Sequence, residues 1–224
     1  MTSMFQRLRG GGLFARAARS SLLTMGSFGA GQFIRLGSNL ILTRLLFPDV
    51  FGLMALVSVF LMGLGQLSDV GVTPAILQSR RGDDPEFLDT AWTIQVARGF
   101  ALWLVAAGLA WPVAQIYAEP QLAQILPVAA ISLAILGFRP TRMDTANRHL
   151  LIGRVTVIEL AVQVIGVGAA VLLAWQLQSV WALVFSGLIG AVADVSLNSL
   201  FLPGHRNRLR WEQTAAHELI HFGR

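Results

Sequence analysis

The sequence predicts an all-α protein with several membrane-spanning helices, and three observations support this fold class. Hydrophobic residues make up 54% of the 224 residues, and charged residues make up 13%, against about 25% in a soluble domain. The mean hydropathy is +0.63. Apolar segments of about 20 residues, the length that a helix needs to cross the hydrocarbon core, recur between arginine-rich and arginine-poor loops.

We predict that these segments form one transmembrane lobe over residues 22–202, with a basic N-terminus at 1–21 and a tail at 203–224. The segments are Leu22 to Thr43, Val50 to Thr73, Gly99 to Tyr117, Leu122 to Phe138, Val155 to Trp175, and Val180 to Leu202, six spans in all. Arginines before the first segment resemble those of a signal peptide. The apolar run continues past Leu40, which is longer than the 7 to 15 residues or so of a signal sequence, so we predict a retained helix.

The distribution of arginine predicts the orientation of the lobe. All 17 basic residues are arginines, and most of them cluster in the N-terminus, the second loop, the fourth loop and the tail. By the positive-inside rule, both termini are expected in the cytoplasm. Membrane orientation also accounts for the formal charge of +5, so we expect no nucleic-acid partner.

The loop before the third span contains a helix start. Asp83-Asp84-Pro85-Glu86 provides an acidic cap, a proline at the first helical position and an acid in the first turn. We therefore predict a helix over 87–98 that lies at the cytoplasmic interface and bends into the third span.

Polar side chains on the membrane helices mark the candidate site. On the first helix Thr24, Gln32, Arg35, Asn39 and Thr43 fall within an arc of about 100°, and this stripe is about 30 Å long. Ser58, Gln66, Asp69 and Thr73 share one side of the second helix. Because such groups are costly in lipid, we expect them to line a cavity. The predicted substrate-binding residues are Arg35, Gln32, Asn39, Gln66, Asp69, Thr73 and Asp194.

Arg35 is the strongest signal, since a guanidinium keeps its charge and its fork of donors matches phosphate oxygens. A transporter of a phosphorylated, membrane-anchored substrate needs such a group in mid-membrane. Two alternatives remain open. Arg35 could pair with Asp69 or Asp194 and only hold helices together, or it could turn away and extend to the lipid headgroups. For Arg98, at the start of the third span, such an extension is the favoured interpretation.

Catalytic and cofactor motifs are weak, and we predict that the protein is not an enzyme and needs no cofactor or metal. The chain has no cysteine, which excludes disulfides and thiolate metal sites. His217-Glu218-Leu219-Ile220-His221 matches the zinc-protease pattern, but an amphipathic helix explains it as well. A membrane-bound zinc hydrolase therefore remains a third hypothesis, after a transporter and a non-transporting scaffold subunit.

Three stretches resemble the opening of polysaccharide flippases of the multidrug/oligosaccharidyl-lipid/polysaccharide exporter superfamily. They are residues 43–53 (TRLLFPDVFGL), 67–72 (LSDVGV) and 75–78 (AILQ). The basic linker at 139–154 and the closing residues 222–224 also resemble this family, so the resemblance covers nearly the whole chain. Members of the family have twelve to fourteen spans in two lobes, whereas this chain has one.

The resemblance implies that the protein moves an undecaprenyl-pyrophosphate-linked oligosaccharide across the bacterial inner membrane, with Arg35 and Asp69 lining the cavity. It also implies a partner, either a second lobe or a second copy of the chain. A lobe of a multidrug-type exporter is the alternative within the same superfamily. We expect that this chain is a fragment or one half of the transporter.

Overall fold

The computed structural model describes residues 13–68 and 71–222, with side chains for 28–68 and 71–219. These residues form helices joined by short loops, and no strand occurs among them. The helices are α1 (Leu13–Leu45), α2 (Pro48–Leu67), α3 (Val72–Gln78), α4 (Pro85–Ile116), α5 (Leu122–Ala129), α6 (Ile131–Gly137), α7 (Arg142–Arg148), α8 (Ile152–Leu177), α9 (Val180–Phe201) and α10 (Gln213–Phe222).

The helices confirm the predicted fold class of an all-α polytopic membrane protein. Within the described residues, 4 helices are long and apolar enough to cross a membrane, namely α2, α4, α8 and α9. The broken pair formed by α5–α6 and α7, bent by 58°, gives a fifth span if it is counted as one. Helix α1 has 33 residues and is long enough, but its polar stripe makes it less apolar. The total of six spans therefore stays a prediction.

Two predicted spans are interrupted. The segment from Val50 to Thr73 is divided between α2 and α3, and Gly71 precedes α3 with φ at 68°, in the left-handed region that suits glycine. The Ser68 hydroxyl donates to the carbonyls of Leu64 and Gly65 at 2.9 and 3.0 Å, where α2 ends. The fourth segment is divided at Ala130, and Pro127 within α5 removes one backbone donor.

The predicted start of α4 is confirmed. The Asp84 carboxylate accepts a hydrogen bond from the Glu86 backbone N–H at 3.2 Å, and Pro85 occupies the first helical position. From there α4 runs to Ile116 as one helix of 32 residues. The predicted interfacial helix and the third span are thus joined without a break.

Helix α8 lies between α1 and α9 and packs against both. Helix α9 also packs on α2, α5 and α6, and α4 packs on α5 and α6. Where α4 meets α6, Gly99 and Gly137 allow the two backbones to approach closely. Helices α1 and α2 do not pack against each other along their lengths, so much of each is left uncovered by the lobe.

At the arginine-rich end, the chain from residue 205 to 219 packs back on α3 and α4. The buried Asp89 carboxylate accepts from the Arg208 backbone N–H at 2.9 Å and contacts His205 Nε2 at 2.8 Å. The Ser79 hydroxyl donates to Glu218 at 2.6 Å. Buried apolar residues of α10, among them Ala215 and Leu219, complete a core with α3 and α4.

An arginine bridges two carboxylates across this contact. Arg81 Nη2 lies 2.7 Å from Asp84 Oδ2 and 2.8 Å from Glu212 Oε2. Hydrogen bonds from this guanidinium lower the pKa of both carboxyl groups, and the same bonds raise the pKa of Arg81. Both acids are therefore ionised at neutral pH, and the bridge connects the tail to the loop before α4.

Candidate functional site

A polar groove lies between α1 and α8. Its volume is about 340 Å³. Helix α1 contributes Gln32 and Arg35, and α8 contributes polar residues on one face. The full lining is Phe28, Gly31, Gln32, Arg35, Thr156, Glu159, Leu160 and Gln163.

A hydrogen bond between the two helices closes one side of the groove. Gln163 Nε2 donates to the Gly31 carbonyl at 2.7 Å. A Cβ at position 31 would lie 3.0 Å from Gln163 Oε1, so the glycine permits this close approach. The bond fixes the spacing of α1 and α8 one turn away from Arg35.

Arg35 is exposed and forms no hydrogen bond or ion pair with any described residue. Glu159 lines the same groove and is also exposed. The groove therefore combines a guanidinium that has no partner in the described part of the chain with one carboxylate and with the side chains of Gln32, Thr156 and Gln163. This set can bind an anion at Arg35 and can exchange hydrogen bonds with hydroxyl groups around it.

The other predicted site residues do not line this groove. Asn39 is exposed on α1, one turn beyond Arg35, and Gln66 is exposed near the end of α2. Thr73 is on α3, where its hydroxyl lies beside the carboxylate of Asp144. Asp69 lies outside the described residues. The structure thus brings Gln32 and Arg35 together with α8, a helix that the sequence analysis did not assign to the site.

Asp194 pairs with Arg139 and not with Arg35. The Arg139 Nε atom lies 3.1 Å from Asp194 Oδ2, and Asn198 Nδ2 donates to Asp194 Oδ1 at 2.9 Å. Asp194 also lines a separate cavity of about 400 Å³ between α2, α5, α6, α8 and α9, together with Ser58 and Ser132. An Arg35–Asp194 pair, one of the structural alternatives, is therefore wrong.

Three polar residues of the groove come from α8. Glu159 and Gln163 stand one turn apart, and the sequence alone indicated that they face the same way. The sequence did not indicate that α1 is the neighbour of α8, because no local pattern encodes that contact. Thr156 gave no signal of its own.

Arg98 has a structural role that the sequence analysis missed. Its Nη2 atom donates to the Gly65 carbonyl at 2.6 Å, and its Nε atom donates to the Ser68 hydroxyl at 3.2 Å. The predicted extension to lipid headgroups is wrong, since this guanidinium donates to a carbonyl and a hydroxyl at the end of α2.

The zinc-protease pattern lies in α10. Glu218 accepts the hydrogen bond from Ser79, and Ala215, Ala216 and Leu219 are buried against α3 and α4, as an amphipathic helix requires. Among the described residues, no three potential metal ligands come together. The side chain of His221 is not among them.

The fold and its polar groove define a class, that of all-α polytopic membrane proteins with charged residues on membrane helices. Residues 41–224 match the family model described as "Polysaccharide biosynthesis protein". The chain belongs to this family, and its role is in polysaccharide biosynthesis or export. No curated protein and no solved structure gives a significant match. The matched range begins after Arg35, so the family match does not include that residue.

Proposed function

We propose that this protein moves a lipid-linked oligosaccharide across the bacterial inner membrane, as one lobe of a flippase with both termini in the cytoplasm. The observation that carries the proposal is Arg35 in the groove between α1 and α8, where it has no partner among the described residues. An unpaired arginine in mid-membrane costs about 2.5 to 3.5 kcal/mol on insertion scales. A substrate that brings a permanent negative charge offsets this cost.

The groove suits a pyrophosphate joined to sugar. A guanidinium binds phosphate oxygens through two parallel N–H donors, which fixes the orientation of the phosphate. The amides of Gln32 and Gln163 and the hydroxyl of Thr156 can donate to and accept from sugar hydroxyls. Translocation makes and breaks no covalent bond, so the proposal needs no catalytic residue and no cofactor. Undecaprenyl pyrophosphate is the carrier that this chemistry and the family together favour.

A second lobe is part of the proposal. Arg35, Asn39 and Gln66 are exposed in the single chain, and lipid contact with them is unfavourable. A second lobe, or a second copy of this chain, covers them and turns the uncovered sides of α1 and α2 into a shared aqueous path. The predicted cavity residues Asn39, Gln66, Asp69 and Thr73 belong to this path in the assembled transporter.

Substitution of Arg35 tests the proposal. We expect Arg35→Gln to lower the flipping of a pyrophosphate-linked oligosaccharide in proteoliposomes at least tenfold, and Arg35→Lys to retain part of the activity as a point charge. Arg44→Gln is the matched control, since Arg44 is also exposed on α1 but lies outside the groove. Wild-type activity in Arg35→Gln would contradict the proposal.

The absence of cysteine allows a direct test of the aqueous path. Single cysteines at positions 32, 39 and 66 should react with a water-soluble thiol reagent in the assembled transporter. A cysteine at position 33, where Phe33 is exposed on α1, is the control, because it should face lipid and stay unreactive. If positions 32, 39 and 66 are as unreactive as position 33, the path is wrong.

A further inference from the structure

A second polar cavity opens at the arginine-poor end of the lobe. Its volume is about 680 Å³, within the range of about 300 to 1,000 Å³ that small-molecule sites occupy. It forms where the α1–α2, α4–α5 and α8–α9 connections meet, so three separate loops contribute to it. We call this cavity the mouth, and its polar lining consists of Asp49, Glu119, Gln121, Gln178 and Ser179.

The polar side chains of the mouth are available for a ligand. Asp49, Glu119, Gln121 and Gln178 are all exposed, and none of these side chains has a hydrogen-bond partner among the described residues. Gln178 is held at a φ of 45°, in the left-handed region, where α8 ends. The three loops thus bring carboxylates and amides to one cavity without pairing them with each other.

The composition of the mouth selects a class of ligand. Carboxylates accept hydrogen bonds and amides both donate and accept, which is the set that vicinal hydroxyl groups require. Phe47, 70% exposed, borders the same cavity and offers a flat apolar surface to C–H groups. None of the described arginines lines the mouth, and its two carboxylates repel phosphate. A neutral, polyhydroxylated ligand fits this lining better than an anion.

We propose that the mouth is a carbohydrate-binding site for the neutral sugar portion of the substrate, separate from the Arg35 groove. The proposal rests on the proposed function for the source of the sugar. Arg35 is on α1, and Phe47 follows the end of this helix. The two residues are twelve positions apart, which is about 18 Å along the helix axis. Sugars that extend about 18 Å from a pyrophosphate at Arg35 towards the arginine-poor end therefore reach the mouth.

Binding of soluble oligosaccharide tests the site without requiring transport. The probe is a set of neutral, phosphate-free repeat-unit oligosaccharides released by mild acid from the polysaccharide of the producing cell. Isothermal titration into the full chain in nanodiscs should detect binding. The double variant Asp49→Asn with Glu119→Gln should weaken it about tenfold, because each carboxylate loses charge-assisted hydrogen bonds.

A second pair of variants keeps the test valid if the double variant does not fold. Gln121→Ala should weaken binding several-fold, whereas Gln124→Ala, an exposed glutamine of α5 outside the mouth, should leave the affinity unchanged. Equal affinities for these two variants would overturn the proposal, and so would an absence of binding to the wild-type chain.

A cation is the competing ligand, and calcium chloride titrated alone distinguishes it. Heat from calcium that disappears in the double variant, with no heat from the oligosaccharides, would make the mouth a cation site and overturn the proposal. The failures of the two proposals are distinguishable, because sugar binding is measured on phosphate-free probes and flipping is measured on the lipid-linked substrate.

Discussion

The contact between α4 and α6 allows a quantitative prediction. A Cβ added at Gly99 would lie 2.7 Å from the Leu133 carbonyl oxygen and 3.1 Å from the Gly137 Cα. Ordinary contact begins at 3.4 Å, so Gly99→Ala has to move one backbone by about 0.7 Å. Overpacking of this kind costs about 1 to 3 kcal/mol.

Gly108→Ala is the control for Gly99→Ala. Gly108 is on the same helix α4 and has no atom within 4 Å of an added Cβ. Both substitutions gain about 1 kcal/mol of helix propensity, which cancels when the two variants are compared. We therefore expect Gly99→Ala to be less stable than Gly108→Ala by about 1 to 3 kcal/mol in detergent-induced unfolding. Equal stabilities would refute the close packing of α4 on α6.

Three further predictions concern charged residues. The pKa values of Asp84 and Glu212 are lowered in the folded protein. Their bridge with Arg81 therefore stabilises the tail at pH values above the unfolded pKa values near 4, and this stabilisation is lost as the pH falls through the folded pKa values. A spin label on the tail should become mobile only in acid, and mobility that is independent of pH would contradict the bridge. Asp89→Ala removes the buried carboxylate that accepts from the Arg208 backbone N–H and contacts His205, and it should lower the free energy of unfolding by about 1 to 3 kcal/mol, measured by detergent titration. A change below about 0.5 kcal/mol would refute this role. Asp194→Asn removes the counter-ion of Arg139 and should lower the free energy of unfolding by about 2 kcal/mol in the same measurement, since the pair is only partly exposed. An unchanged free energy of unfolding would show that the pair contributes nothing to stability.

The sequence predicted the fold class because hydropathy and length are local properties. Pro85 and its acidic neighbours predicted the start of α4 to the residue, since capping needs only adjacent positions. The break after Leu67 was missed, although Gly71 was a signal for it. The apolar composition continues across that break, and an apolar window cannot distinguish one span from two shorter helices.

The site was only partly predictable, because helix neighbours are set by packing. The periodicity of α1 placed Gln32 and Arg35 on one face. It did not indicate that Glu159 and Gln163 of α8 lie opposite them. The pairing of Asp194 with Arg139 depends on a contact across 55 residues of sequence, and periodicity does not encode such a contact. Residue spacing therefore predicted which side chains share a face of a helix, but it did not predict which helices pack against that face.

The contacts at the arginine-rich end join parts of the chain that are synthesised at different times. Arg148 donates to the carbonyls of Ile76 and Ser79 at 2.8 and 2.7 Å. About 70 more residues must be synthesised before these two carbonyls have their partner. The partner of the Ser79 hydroxyl is synthesised later still, since Glu218 follows Ser79 by 139 residues. The early helices thus leave the ribosome with polar groups whose partners, in α7 and α10, are synthesised later. Completion of the arginine-rich end is therefore a late event of biogenesis, after the membrane helices have been inserted.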